Sequence, residues 1–255
     1  MEKQNTLFHK IRHVSNITTM VISILLFVCV LILLINLHFT DNKLEIYERQ
    51  QDEMASSLET SRKTIESLQM STIRLEAGIS LENKRRFALT NGADIIRKVR
   101  PQLSYQRAIT YAEFMYNESK KYPSVPYTLL LAIGTVESSF NKDTVSPKGA
   151  CGLMQFMELT AMDISESLRI DYSRSRLFDP QYSIMLAAKY IDRRMSIFNN
   201  IEHTIAAYNG GDGGGYTYKN YKNGLVEKDS VNKETFDFVQ KVLQYKTQYD
   251  KILGM

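Results

Sequence analysis

The sequence predicts a mainly α-helical chain in which a transmembrane helix and a helical stalk precede a larger helical domain. Three observations carry this reading. An uncharged apolar run of membrane-spanning length stands near the N-terminus, a heptad-spaced segment follows it, and beyond that apolar residues recur at three-and-four spacing with weak strand signals. With 44% of its 255 residues apolar and 24% charged, the chain has the composition of a folded protein. A net charge of +4 suits an anionic polymer or a membrane surface but is too small to argue for nucleic acid.

Residues 17–37 contain neither charge nor proline. A bilayer core needs roughly 20 such residues as a helix. Lys3, Lys10 and Arg12 precede the run, whereas Asp41, Lys43 and Glu45 follow it with no positive excess. By the positive-inside tendency, residues 1–16 form a cytoplasmic tail and the chain after the span lies outside the cytoplasm, anchored in the cytoplasmic (inner) membrane. The alternative is a cleaved signal peptide. Its apolar core would be only roughly 7–15 residues long and would end in a small-x-small site, which this sequence lacks. Cys29 falls within the run and Cys151 far beyond it, so an intrachain disulfide is implausible. His9, His13, His38 and His203 are scattered without metal-ligand spacing, and no metal or cofactor is expected.

Residues 41–86 read as the stalk. Leu44, Leu58, Ile65 and Ile79 occupy one heptad position, and Tyr47, Met54, Leu68 and Leu75 the other. Gln51, Ser61 and Thr72 interrupt the seam. The pattern fits a coiled coil that pairs chains into a homo-oligomer, or a lone helix packed on a globular domain or partner. A boundary is expected near Asn91-Gly92 or Arg100-Pro101, followed by one helical domain over 101–255. Its helices are expected at 103–121, 126–140, 158–168, 180–198, 201–208 and 234–252. The run Gly210-Gly-Asp-Gly-Gly-Gly215 is expected to be a flexible loop, with short extended pieces between 215 and 226. No strand precedes those glycines and no Lys-Ser/Thr pair follows, so they are not a phosphate loop.

One acid stands out. Leu129, Leu130, Ile133, Val136 and Phe140 form an apolar stripe, and Glu137 edges the same face near the helix C-terminus. Desolvation and the macrodipole both favour its neutral form, the condition for a general acid near neutral pH. An exposed helix-end glutamate is the other reading of the spacing. Gly134, one turn earlier, would let a ligand or another backbone approach. Downstream, Ser146-Pro-Lys-Gly-Ala-Cys-Gly-Leu-Met-Gln155 is a small-residue turn ending in an amide, and Ala206-Ala-Tyr-Asn-Gly-Gly211 places a phenol and an amide at a helix end. An acid, a glutamine, a tyrosine and an asparagine suit sugar hydroxyls and acetamido groups, and no Ser–His or Cys–His nucleophile pair accompanies them.

Glu137-Ser-Ser-Phe140, Ser146 with Gly149-Ala-Cys-Gly-Leu-Met-Gln-Phe-Met157, Leu177-Phe-Asp-Pro180, Ala206-Ala-Tyr-Asn-Gly-Gly211 and Glu234-Thr-Phe-Asp-Phe-Val239 occur in that order. Together they resemble the catalytic domain of the soluble lytic transglycosylases, which is similar to goose-type lysozyme. The resemblance covers the helical domain and leaves the anchor and stalk without a counterpart. It implies a lysozyme-like helical fold that cleaves the β-1,4 bond between N-acetylmuramic acid and N-acetylglucosamine in peptidoglycan glycan strands. It implies Glu137 as the single catalytic residue, acid then base, giving 1,6-anhydro ends. It also implies that Ser146, Gln155, Met157, Tyr208 and Asn209 line the substrate groove. Asp143 and Glu158 match no catalytic position of the family.

The sequence departs from the family pattern at four places. Glu158 stands where proline is usual, Phe238 where tyrosine is usual, and Gly210 and Asp212 replace alanine and proline, which would loosen that loop. Cys151 reads as filler with nothing basic beside it. Two alternatives to the transglycosylase stand: a lysozyme-like hydrolytic muramidase using the same glutamate, and a non-catalytic wall-binding scaffold. Tethering at the membrane implies restrained local opening of the wall, of the kind an envelope-spanning machine requires. Analytical ultracentrifugation of residues 41–255 should show a self-associated species; a monomer at micromolar concentration would remove the oligomer.

Overall fold

The computed structural model describes residues 2–254, with side chains from residue 16 onward. Side chains of the tail, Lys3, Lys10 and Arg12 among them, lie outside the described residues. The chain divides into two units, 1–77 and 78–255.

Helix α1 spans Glu2–Val99. Within the first unit the described side chains of the apolar run are exposed, and by length and composition the helix can cross a membrane. The stalk is helical, with intrahelical pairs Arg62–Glu66 at 3.2 Å and Lys63–Glu59 at 3.5 Å along its side. Exposed pairs of this kind contribute about 0.3–0.5 kcal/mol each. The heptad seam itself, from Leu44 to Ile79, is exposed.

In the second unit the end of α1 is part of the globular core: Ala88, Leu89, Ala93, Ile95 and Ile96 are buried. The core therefore begins ahead of residue 101. Asn91-Gly92 does not break the helix, which ends at Val99, ahead of Arg100-Pro101. The residue before a proline is pushed out of the helical region, so this is where a stop is expected.

Six further helices follow: α2 (Tyr105–Lys121), α3 (Tyr127–Ser138), α4 (Glu158–Ser167), α5 (Pro180–Phe198), α6 (Ile201–Lys222) and α7 (Lys233–Leu253). Local chemistry sets their starts. Ser104, Asp179, Asn200 and Asn232 each accept a backbone N–H in the first turn of the helix they cap. Pro180 occupies the first turn of α5, where the missing N–H costs nothing. Helix α3 runs through the middle of the domain, with Tyr127 to Thr135 all buried. It packs on α7, α2 and α5, while α6 packs on α5 and α7.

The stretch expected as a glycine loop followed by extended pieces is helical instead. Helix α6 continues to Lys222, interrupted only at Gly211, whose φ 66 and ψ −172 make a kink. The reason is tertiary. A Cβ on Gly215 would stand 2.5 Å from the Phe198 ring and 2.8 Å from Ala207 Cβ, so glycine lets the second half of α6 close onto α5 and its own first half.

Between α3 and α4 the chain folds into a tight hairpin in which Cys151 bridges both Val145 and Phe156. Gly152 turns it with φ +82, and a Cβ there would overlap the Leu177 carbonyl. Gly149 has φ +89 but open space around it. Gly152→Ala should therefore cost about 2–4 kcal/mol in urea unfolding, and Gly149→Ala only about 1–2 kcal/mol. Equal losses would show that backbone strain alone, without the clash, sets the cost.

Candidate active site

Glu137 is the next-to-last residue of α3, so a helix buried from Tyr127 to Thr135 delivers this acid to the edge of the core. Ser139 and Phe140 then take φ 50 and 58, two successive left-handed residues that are not glycine. Such geometry costs about 1–2 kcal/mol per residue. It is offset by the full burial of Phe140 and by its N–H donating to Gly134 O at 3.2 Å. A Cβ on Gly134 would stand 2.9 Å from the Phe140 ring. Gly134 thus makes room for that ring, where the sequence suggested a ligand or another backbone. The Ser138 hydroxyl donates to Leu153 O at 2.7 Å and ties the helix end to the hairpin.

A cavity of about 500 Å³ opens at this point, between the end of α3, the hairpin, α6 and the start of α7. Glu137, Ser146, Gln155, Met157, Tyr208 and Asn209 all line it. Asp143 and Glu158 do not; they pair with Lys142 at 2.6 Å and Arg174 at 3.6 Å.

Each polar lining residue is partly committed. Ser146 Oγ accepts from the Ala150 N–H at 3.0 Å, which closes the hairpin turn. Gln155 adopts φ 51 and donates both amide hydrogens, to Thr144 O at 3.0 Å and Gly152 O at 2.7 Å. It is therefore an acceptor toward the cavity. The Tyr208 hydroxyl donates to Met154 O at 2.8 Å, and burial pushes its pKa well above the usual phenol value. Asn209 Oδ1 accepts from the Thr235 hydroxyl at 2.9 Å. Phe238 stacks parallel to the Tyr208 ring with centroids 6.3 Å apart, so an apolar edge stands where the family usually places a phenol.

The Glu137 carboxyl has no hydrogen bond or ion pair among the described residues. Burial raises its pKa from 4.5 to about 8, and the charge of Glu234 adds to the effect. Glu234, in the first turn of α7, lines the same cavity and pairs with Lys148 at 2.6 Å. In the sequence Glu234 falls within a motif but outside the set expected to form the site. Its cap position after Asn232, where acids are favoured, was the available signal. Tyr190 and Lys148 also line the cavity without having been anticipated. Cys151 is buried as expected of filler, although Arg174 does reach it, with Nη2 3.7 Å from Sγ. The segment expected to be loosened by Gly210 and Asp212 is instead tethered, with Arg194 Nε 2.7 Å from the Asp212 carboxylate.

The transglycosylase SLT domain family matches residues 114–230. A membrane-bound lytic murein transglycosylase C of Edwardsiella ictaluri is 36% identical over 139 residues, 49% of this chain and 38% of the relative. A soluble lytic murein transglycosylase of Escherichia coli K12 is 32% identical over 151 residues, 54% of this chain and 23% of the relative. This chain thus spans well under half the length of either relative. Among solved structures, the 70 kDa soluble lytic transglycosylase of E. coli matches with TM-score 0.50 and 28% identity, over 66% of this chain and 30% of that one. A complex of the 70 kDa soluble lytic transglycosylase with bulgecin A matches with TM-score 0.51 and 27% identity, over 67% and 30%.

The raised acid has a measurable consequence for stability. The Glu137 side chain holds its proton up to about pH 8 when folded but releases it near 4.5 when unfolded. Between those values the native state binds more protons than the unfolded one, so this group's contribution to stability falls as pH rises. The Tm of the wild type should therefore decline relative to Glu137→Gln from about pH 5 to pH 9. Parallel profiles would mean that the acid is not held protonated.

Proposed function

We propose that this chain, whose residues 114–230 match the transglycosylase SLT domain family, is a membrane-anchored peptidoglycan lytic transglycosylase. The observation that carries the reading is the unpartnered Glu137 carboxyl, held protonated near neutral pH in the wall of a cavity whose Ser146, Gln155, Tyr208 and Asn209 are neutral hydrogen-bonding groups. Relatives named as lytic murein transglycosylases support it.

In the proposed reaction Glu137 gives its proton to the glycosidic oxygen as the bond to muramic C1 breaks. The resulting carboxylate takes the proton from the C6 hydroxyl of the same muramic residue, and that oxygen closes on C1. The product is a 1,6-anhydro end, no water is consumed and Glu137 is protonated again. The substrate acetamido group stabilises the cationic centre between the two steps. Ordinary glycosidases use two carboxyl groups. Here Glu234, the other acid in the cavity, is engaged by Lys148, which supports a single working carboxyl. Ser146, Gln155, Met157, Tyr208 and Asn209 are proposed to hold the sugar.

The apolar helix is proposed to fix the chain in the cytoplasmic membrane, N-terminus inside, with the catalytic domain outside. The name of the membrane-bound relative and the single apolar run support this. The exposed heptad seam supports self-association through residues 41–86.

Digestion of purified sacculi tests the chemistry. The wild type should release fragments one water lighter than reducing-end fragments, and Glu137→Gln should be slower by about 10²–10⁴-fold while remaining folded. Fragments with reducing ends alone would instead indicate a hydrolytic muramidase, and no cleavage at all a wall-binding scaffold. Activity should also fall as pH rises through about 8, where the acid form of Glu137 is lost.

A further inference from the structure

At Gly211 the backbone of α6 leaves the helical region, and the residues on either side of the kink serve different surfaces. Tyr208, Asn209 and Gly211 line the cavity. The kink is set among Gly210, Gly213, Gly214 and Gly215, and each glycine in a helix costs about 1 kcal/mol relative to alanine. Such a segment has little stiffness of its own. On the cavity side it is pinned by the hydrogen bonds from Tyr208 to Met154 O and from Thr235 to Asn209.

On the other side stands Asp212, the first residue past the kink. Its carboxylate lies 2.7 Å from Nε of Arg194 on α5. Arg194 is only 8% exposed, and its guanidinium carbon sits 4.5 Å from the centroid of the Tyr190 ring. Tyr190 in turn lines the cavity, donates its hydroxyl to Ala207 O at 3.0 Å and meets the Tyr208 ring edge-on at 5.5 Å. A buried guanidinium needs a counter-charge, so the Asp212 carboxylate does more than an ordinary surface acid. Neither Arg194 nor Asp212 lines the cavity.

We propose that Arg194 and Asp212 are positioning residues: their ion pair, braced on the Tyr190 ring, fixes the glycine kink of α6 and so aligns Asn209 and Gly211 with the glycan. The proposal rests on the reading of the cavity as a glycan groove. Because the pair acts on sugar placement and not on Glu137, its loss should appear in KM and leave proton transfer alone.

The test uses the full chain in detergent. Asp212→Asn keeps shape and removes charge; it should raise KM for sacculus fragments about tenfold with kcat within about twofold and an unchanged pH profile. Asp212→Glu restores a carboxylate at a half-exposed position and should return KM to within about threefold of wild type. Arg194→Gln should match Asp212→Asn, and the double variant should be no worse than either single one. Hydrogen exchange gives a readout independent of activity: amides of residues 209–216 should exchange about tenfold faster in Asp212→Asn. Wild-type KM or wild-type exchange in Asp212→Asn would overturn the proposal, as would a kcat loss equal to that of Glu137→Gln. Should the wild type cleave no glycan, the function reading fails, and exchange with calorimetric binding of a chitin tetrasaccharide then decides the positioning claim. Unchanged binding by Asp212→Asn would sink it.

Discussion

A carboxyl group without a partner, held at the end of a buried helix, is the constraint around which this domain is arranged. An ionised carboxylate in such a place costs several kcal/mol unless it is paired. The fold does not pair it. Lys148, a cation in the cavity lining, is engaged by Glu234, and the remaining polar neighbours are neutral. Keeping the proton is then the cheaper outcome. That outcome requires water to be kept from most of α3, which its buried run from Tyr127 to Thr135 and the plug of Phe140 behind Gly134 provide.

Two ion pairs have nearly equal lengths, Lys148–Glu234 in the cavity wall at 2.6 Å and Arg194–Asp212 outside it at 2.7 Å. Distance does not separate them; solvent does. The first has side chains 73% and 59% exposed, where water screens both charges and the pair contributes little. In the second the arginine side chain is 10% exposed, so removing its partner strands a charge.

Much of this was legible in the sequence because local chemistry and pattern coincide. Asp179-Pro180 announces the start of α5, and three-and-four spacing outlines α3. The residues expected to line the groove do line one cavity, since each belongs to a short motif whose order survives folding. What was illegible depends on contacts distant in the chain. Gly210 to Gly215 reads as a loop because glycine disfavours helix, and only the press of Phe198 and Ala207 against Gly215 reverses that. The burial of Ala88 to Ile96 extends the core into a helix whose heptad pattern suggested a stalk up to residue 86. Glu234 becomes a site residue only because α7 packs on α3.

Serine, glutamine, tyrosine and asparagine are ambivalent in water, each able to give or to receive a hydrogen bond. In this cavity the backbone and Thr235 occupy part of each. Ser146 and Asn209 keep hydrogens to offer as well as a lone pair, while Gln155 and Tyr208 keep lone pairs alone. The wall therefore carries a fixed sign at Gln155 and Tyr208. A group that brings only lone pairs to those two positions would meet like against like, and neither side chain can swivel without breaking a bond to the scaffold, so polarity as well as size decides what fits the cavity.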